Sequence, residues 1–157
     1  MELLGVRVEL PANTPVVMLR EQDGGRGRVL PILIGGPEAA AIHSALEGMV
    51  PPRPLTHDLV VILLQTLSAV VVTEVREHTF YAELHLRTDS GASVVSSRPS
   101  DAIAIAVRTG APIYAAEDLL DEAAVEVPAD VEAEDEEAIL DEFRDFLDEI
   151  SPEDFES

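Results

Sequence analysis

Hydrophobic and polar positions follow two periods along this chain. Glu2 to Leu10 alternates closely enough to predict a strand, which Pro11-Ala12-Asn13-Thr14-Pro15 breaks. Val16 to Arg20 and Val29 to Ile34 read as two further strands around the turn Asp23-Gly24-Gly25-Arg26-Gly27, completing an antiparallel meander. Gly35-Gly36-Pro37-Glu38 then opens a helix, with Pro37 suited to its first position and Gly48 near its end.

Pro51, Pro52 and Pro54 form a stiff connection to a second helix, which Thr56 is expected to cap and which runs to about Ser68. Leu59, Val60, Ile62, Leu63, Leu64 and Leu67 cover most of its circumference, so burial on more than one side is expected. Val70 to Val75, Phe80 to Leu86 and Ser93 to Ser96 read as strands, the last following the turn Asp89-Ser90-Gly91. Ser100 is expected to cap a third helix ending near Gly110, followed by a short strand over Pro112 to Ala115 and a short helix over Glu117 to Ala124. A meander followed by interleaved strands and helices predicts an α+β fold, with a mixed, largely antiparallel β-sheet flanked by helices.

Beyond this point the pattern changes. Pro128 to Glu137 is mostly acid and alanine, a solvated linker, whereas Ile139, Leu140, Phe143, Phe146, Leu147 and Ile150 recur at helical spacing. The expected organisation is a domain over 1–127, an acidic linker over 128–137, and an acidic amphipathic C-terminal helix and tail over 138–157. That helix either docks onto the body, pairs in a dimer or engages an external partner.

Composition narrows the classes. A chain of 157 residues that is 46% hydrophobic supports one real core. The absence of cysteine removes disulfides and thiolate zinc sites. Met1 to Arg7 lacks the features of a signal peptide, and no apolar run approaches the roughly 18 residues of a membrane span, so a soluble, cytoplasmic protein is expected. The net charge of −21 is unevenly distributed: residues 115–157 hold 19 of the 31 acids and only Arg144 as a base. The body is nearly neutral, and with no lysine in the chain its bases are all arginine, whose planar fork suits bidentate phosphate contacts. No dinucleotide, Walker or Gly-x-Ser-x-Gly signature is present.

Two segments rhyme, Arg53-Pro54-Leu55-Thr56-His57-Asp58 and Arg98-Pro99-Ser100-Asp101, each ahead of an apolar helical run. Asp58, Asp101 and Glu38 all fall in first helical turns, where the helix dipole alone accounts for an acid. If those turns converge, the same three carboxylates are the candidate ligands of a hard divalent cation, Mg²⁺ or Mn²⁺. His57 is then a candidate general base or metal ligand, with a structural hydrogen-bonded pair as its other reading. Arg53, Arg98 and Ser100 are candidate phosphate contacts, and the two arginines serve equally to pair with nearby acids. His43, His78 and His85 have no zinc-type spacing.

Taken together, PILIGGPEAAAI at 31–42, PPRPLTHDL at 51–59, FYAEL at 80–84 and RPSDAIAIAVRTGAPIYAAEDLL at 98–120 resemble the bifunctional nuclease family. By position, the family's His-Asp motif falls on His57 and Asp58, its Arg-Pro-Ser-Asp motif on Arg98 to Asp101, and its Gly-x-x-Glu-Ala motif less strictly on Gly36, Glu38 and Ala39, the spacing being met when counted from Gly35. The resemblance implies an α+β domain, association as dimers or higher oligomers, and nuclease activity on DNA and RNA. The expected mechanism is phosphodiester hydrolysis with His57, Asp58 and Asp101 as catalytic residues. The rival expectation is a noncatalytic oligomeric binding or regulatory module whose capping acids are structural.

Overall fold

The N-terminal alternation builds the first sheet. Strand β1 (Glu2–Glu9) pairs antiparallel with β2 (Thr14–Arg20), β2 with β3 (Arg28–Leu33), and β3 with a two-residue strand at Val125–Glu126, β8 in chain order. Val17 and Leu19 enter the main core, while Val16 and Met18 join Val29, Leu4 and Val127 in a second cluster. Successive strand residues point to opposite faces, so β2 is an inner strand buried on both sides. The computed structural model describes residues 1–9, 11–22, 26–64 and 66–127, so the acidic linker and C-terminal helix expected beyond 127 lie outside them.

A second sheet forms from the later strands. Its order is β6 (Gly91–Ser97), β5 (Thr79–Thr88), β4 (Leu67–Arg76) and β7 (Ile113–Ala115), antiparallel except for β4 with β7. Ala82, Leu84 and Leu86 of β5 face inward at period two. The fold class is α+β, as the pattern predicts, but the strands divide between two sheets because β3 pairs with β8 rather than with β4.

The β4–β5 hairpin turns through two residues, Glu77 and His78, between the paired Arg76 and Thr79. Both adopt positive φ, 48° and 59°, in a place where Asn-Gly is the relaxed choice. Left-handed backbone costs a side-chain-bearing residue about 1 kcal/mol or more, so the turn carries a local backbone cost.

Four helices complete the domain: α1 (Gly36–Leu46), α2 (Thr56–Leu64), α3 (Pro99–Thr109) and α4 (Glu117–Ala123). The centre is α3, whose run Ala102 to Ala106 is buried against α1, α2, β4 and β5. It begins at Pro99, because the fixed φ of proline suits the first helical position, and therefore Arg98 rather than Ser100 is its N-cap. Ser100 is instead a buried second residue. Gly110 ends the helix in the left-handed conformation, φ 69°, and returns its N–H to Ala106 O.

Two expectations for α2 are corrected. It stops at Leu64, since Leu67 and Ser68 already belong to β4, where the Ser68 hydroxyl donates to His85 O at 2.8 Å. Nor is it buried on several sides: Val60 and Val61 pack on the core, whereas Leu59, Ile62 and Leu63 are 48%, 53% and 82% exposed.

Arg28 ties the two ends of the domain. Its side chain is 4% exposed and meets Glu21, Glu117 and Asp121, each at 2.8 Å. Those ion pairs hold α4 beside β3 and so place β8 at the sheet edge. Hydrogen bonds from the Arg28 side chain, with those from the Arg26 and Arg28 amides, lower the Glu21 carboxyl to about 2 despite its burial.

Candidate functional site

Three helix starts converge through one arginine. Glu38 lies in the first turn of α1, His57 is the second residue of α2, and Asp101 is the third of α3. Arg98 donates from Nε to Asp101 Oδ2 at 2.7 Å and from Nη2 to Asp101 Oδ1 at 3.2 Å. The same Nη2 lies 3.0 Å from Glu38 Oε1. His57 Nε2 is 3.0 Å from Asp101 Oδ1, which leaves Nδ1 for another partner.

Local sequence explains each placement. Gly35 precedes α1, and a Cβ there would overlap Glu38 Oε2, so the missing side chain makes room for the carboxylate to fold back over the helix start. At α2, Leu55 N–H donates to Asp58 Oδ2 at 2.8 Å, the reciprocal half of a capping box. Thr56 is the first helical residue and not the cap, because Leu55 O already accepts from Leu59 N.

Asp58 serves a different partner. Its Oδ1 accepts from Arg108 Nε at 2.6 Å, and Arg108 Nη1 also donates to Ala41 O and Ala104 O. Arg108 therefore joins α1, α2 and α3 from the far end of α3, 10% exposed, and it was missed in the sequence. The available signal was a lone charge closing the apolar run Ala102 to Val107. His57 pairs with Asp101 and not with its neighbour Asp58, because consecutive helical residues point in different directions.

Electrostatics keep both aspartates ionised. Burial pushes the Asp101 carboxyl upward, but the hydrogen bonds and charges of Arg98 and His57 outweigh it, leaving a value below the ordinary one. For Asp58 the Arg108 hydrogen bond, then the Leu55 amide, lowers the carboxyl. Glu38, Asp58 and Asp101 are each turned to a guanidinium, and among the described residues no three His, Asp or Glu side chains are arranged to hold a metal ion. As placed, these residues do not form the shared cation shell expected of them.

The arginines of the two rhyming segments are separated in role. Arg98 is 65% exposed although doubly paired, and its Nη1 makes no hydrogen bond among the described residues. Arg53 is exposed and has no ion pair among the described residues. Ser100 lines a cavity of about 260 Å³ next to Arg98.

Residues 17–128 match the family described as the bifunctional nuclease domain. Two uncharacterized proteins of Mycobacterium tuberculosis, from two strains, are similar to the whole length: each is 43% identical over 163 residues, spanning 99% of this chain and 96% of its own. The matched span contains every residue of the Glu38, His57, Arg98 and Asp101 cluster, and the chain belongs to the bifunctional nuclease domain family.

Proposed function

We propose that the chain is a nuclease that hydrolyses phosphodiester bonds of DNA or RNA at the Glu38–Arg98–Asp101–His57 cluster. The observation that carries this reading is the convergence of an imidazole, its carboxylate partner and a partly free guanidinium from three helix starts far apart in sequence. Asp101 holds the His57 ring by its Nε2 and stabilises the imidazolium that forms when His57 takes a proton. The Nδ1 side then serves the attacking water or the leaving oxygen. Water oxygen bonds to phosphorus as His57 Nδ1 takes its proton, the ester P–O bond breaks, and the departing oxygen takes a proton from solvent.

Arg98 supplies the phosphate contact through Nη1 and screens the negative charge that grows on the phosphoryl oxygens. Glu38 positions Arg98, and Arg53 is the further cation at the α2 entrance for the flanking strand. Asp58 supports the site by holding the start of α2 against Arg108. A divalent cation, Mg²⁺ or Mn²⁺, is the proposed cofactor, although the carboxylates are turned to arginines and not to a common point.

The exposed apolar face of α2 supports association of copies, a dimer first. Among the described residues no helix is long and apolar enough to cross a membrane, which suits the cytoplasmic placement we propose.

The test is cleavage of single-stranded DNA and of RNA by the full chain with Mg²⁺, with Mn²⁺ and with chelator, in a series of salt concentrations. We expect cleavage by the native chain, and a fall of about 10²- to 10⁴-fold in kcat for His57→Asn, the span of a general acid–base contribution. An inactive native chain under every condition, or an unchanged rate for His57→Asn, contradicts the reading.

A further inference from the structure

The cavity beside Arg98 has a composition unlike the rest of this acidic protein. None of its ten lining residues is acidic, in a chain of net charge −21. Arg98 forms one part of its wall and His78 another, with the hydroxyl residues Thr79 and Ser100 and the ring of Phe80 also lining it. Arg98 Nη1 makes no hydrogen bond among the described residues, so one donor of the guanidinium remains for a ligand. At about 260 Å³ the space accommodates a phosphate group together with part of a nucleoside.

His78 reaches this wall by way of an unfavourable turn. It sits at φ 59° beside Glu77 at φ 48°, in a two-residue hairpin whose relaxed sequence is Asn-Gly. Strained backbone of this kind persists where the surroundings impose it, and it gathers at ligand sites. Here the hairpin carries an imidazole to the same cavity as the arginine of the site.

We propose that this cavity is a phosphate subsite, in which Arg98 and His78 hold one phosphate group of a nucleotide unit while Phe80 borders its apolar part. Arg98, already paired with Asp101 and Glu38, offers its remaining Nη1 donor, and the His78 ring carries an N–H in either protonation state. The inference rests on the nuclease reading only for the identity of the phosphate as part of a nucleic acid strand. Binding itself is independent of cleavage.

The experiment titrates the full chain, with its histidines observed by NMR, with inorganic phosphate and separately with a 5′-mononucleotide. The native chain is expected to show a shift of the His78 ring resonance that saturates, with the mononucleotide binding more tightly than phosphate. His78→Asn keeps a residue that tolerates the left-handed turn, and it is expected to weaken mononucleotide binding roughly tenfold, the size of one charge-assisted hydrogen bond. Its melting temperature should equal or exceed that of the native chain, which a purely structural histidine would not give.

Mononucleotide binding that differs less than twofold between His78→Asn and the native chain overturns the inference, as does a His78 resonance that does not move. If His78→Asn binds normally while the native chain cleaves nucleic acid, the subsite falls and the nuclease reading stands. If binding depends on His78 but nothing is cleaved, the subsite stands and the nuclease reading falls.

Discussion

Single side chains settle what the charge pattern leaves open. The fate of each carboxylate depends on which guanidinium reaches it: Asp101 and Glu38 share Arg98, Asp58 takes Arg108, and Glu21 takes Arg28. Arg28 is the clearest stability case, since it is buried and Glu21 beside it is largely so. Arg28→Leu is expected to lower the unfolding free energy by about 3 kcal/mol, the lower end for an opened buried pair, because Glu117 and Asp121 can turn to water. Urea denaturation measures it. The same pair predicts a pH dependence. Hydrogen bonding to Arg28 lowers the Glu21 carboxyl from 4.5 to about 2 in the folded chain, so the stabilisation is present above 4.5 and disappears as pH falls toward 2. Native and Glu21→Gln chains should therefore differ most in melting temperature at neutral pH and converge near pH 2.

Elements were the most legible scale in the sequence, for reasons visible in particular stretches. Strand alternation in Phe80 to Leu86 and the Arg-Pro-Ser-Asp start of α3 depend on neighbours along the chain, and both elements form there, although α3 begins at Pro99 with Arg98 as its cap and not after Ser100. Burial of α2 was not legible, because an apolar circumference records what a helix is able to cover and not how much of the fold reaches it. Nor were the pairings His57–Asp101 and Asp58–Arg108, which span 44 and 50 residues and arise from helix packing. His78 has no zinc-type spacing, and spacing carries no trace of the cavity that the hairpin reaches.

Element geometry also yields two expected outcomes. Gly35→Ala would place a methyl group where Glu38 Oε2 lies, and because that oxygen ends a flexible side chain the fold should change by less than about 1 kcal/mol. The Glu38–Arg98 pair should nevertheless open, seen as a fall in cleavage rate without a matching fall in melting temperature. Replacing Glu77-His78 by Asn-Gly should raise stability by about 1 kcal/mol, read from thermal melts, since both left-handed positions become relaxed.

At the scale of the whole molecule, charge and apolar surface are separated. The body carries the arginine cluster and an exposed face formed by Leu55, Leu59, Ile62 and Leu63, whereas most acids lie past residue 114. If that face joins copies, Leu63→Asp in the full chain should shift sedimentation toward the monomer while leaving its melting profile two-state. A sedimentation coefficient that is already monomeric for the native chain would contradict the association.

Nuclease chemistry at the arginine-centred cluster is best probed at Asp101, which touches both Arg98 and His57. The decisive measurement compares single-turnover cleavage of a labelled single-stranded oligonucleotide by the native chain and by Asp101→Asn, each first shown to be folded. Cleavage by the native chain and a loss of about 10²-fold or more in Asp101→Asn are expected. Equal rates for the two, or no cleavage by the native chain with either Mg²⁺ or Mn²⁺, would contradict nuclease chemistry at the cluster and favour a binding module built on the same fold.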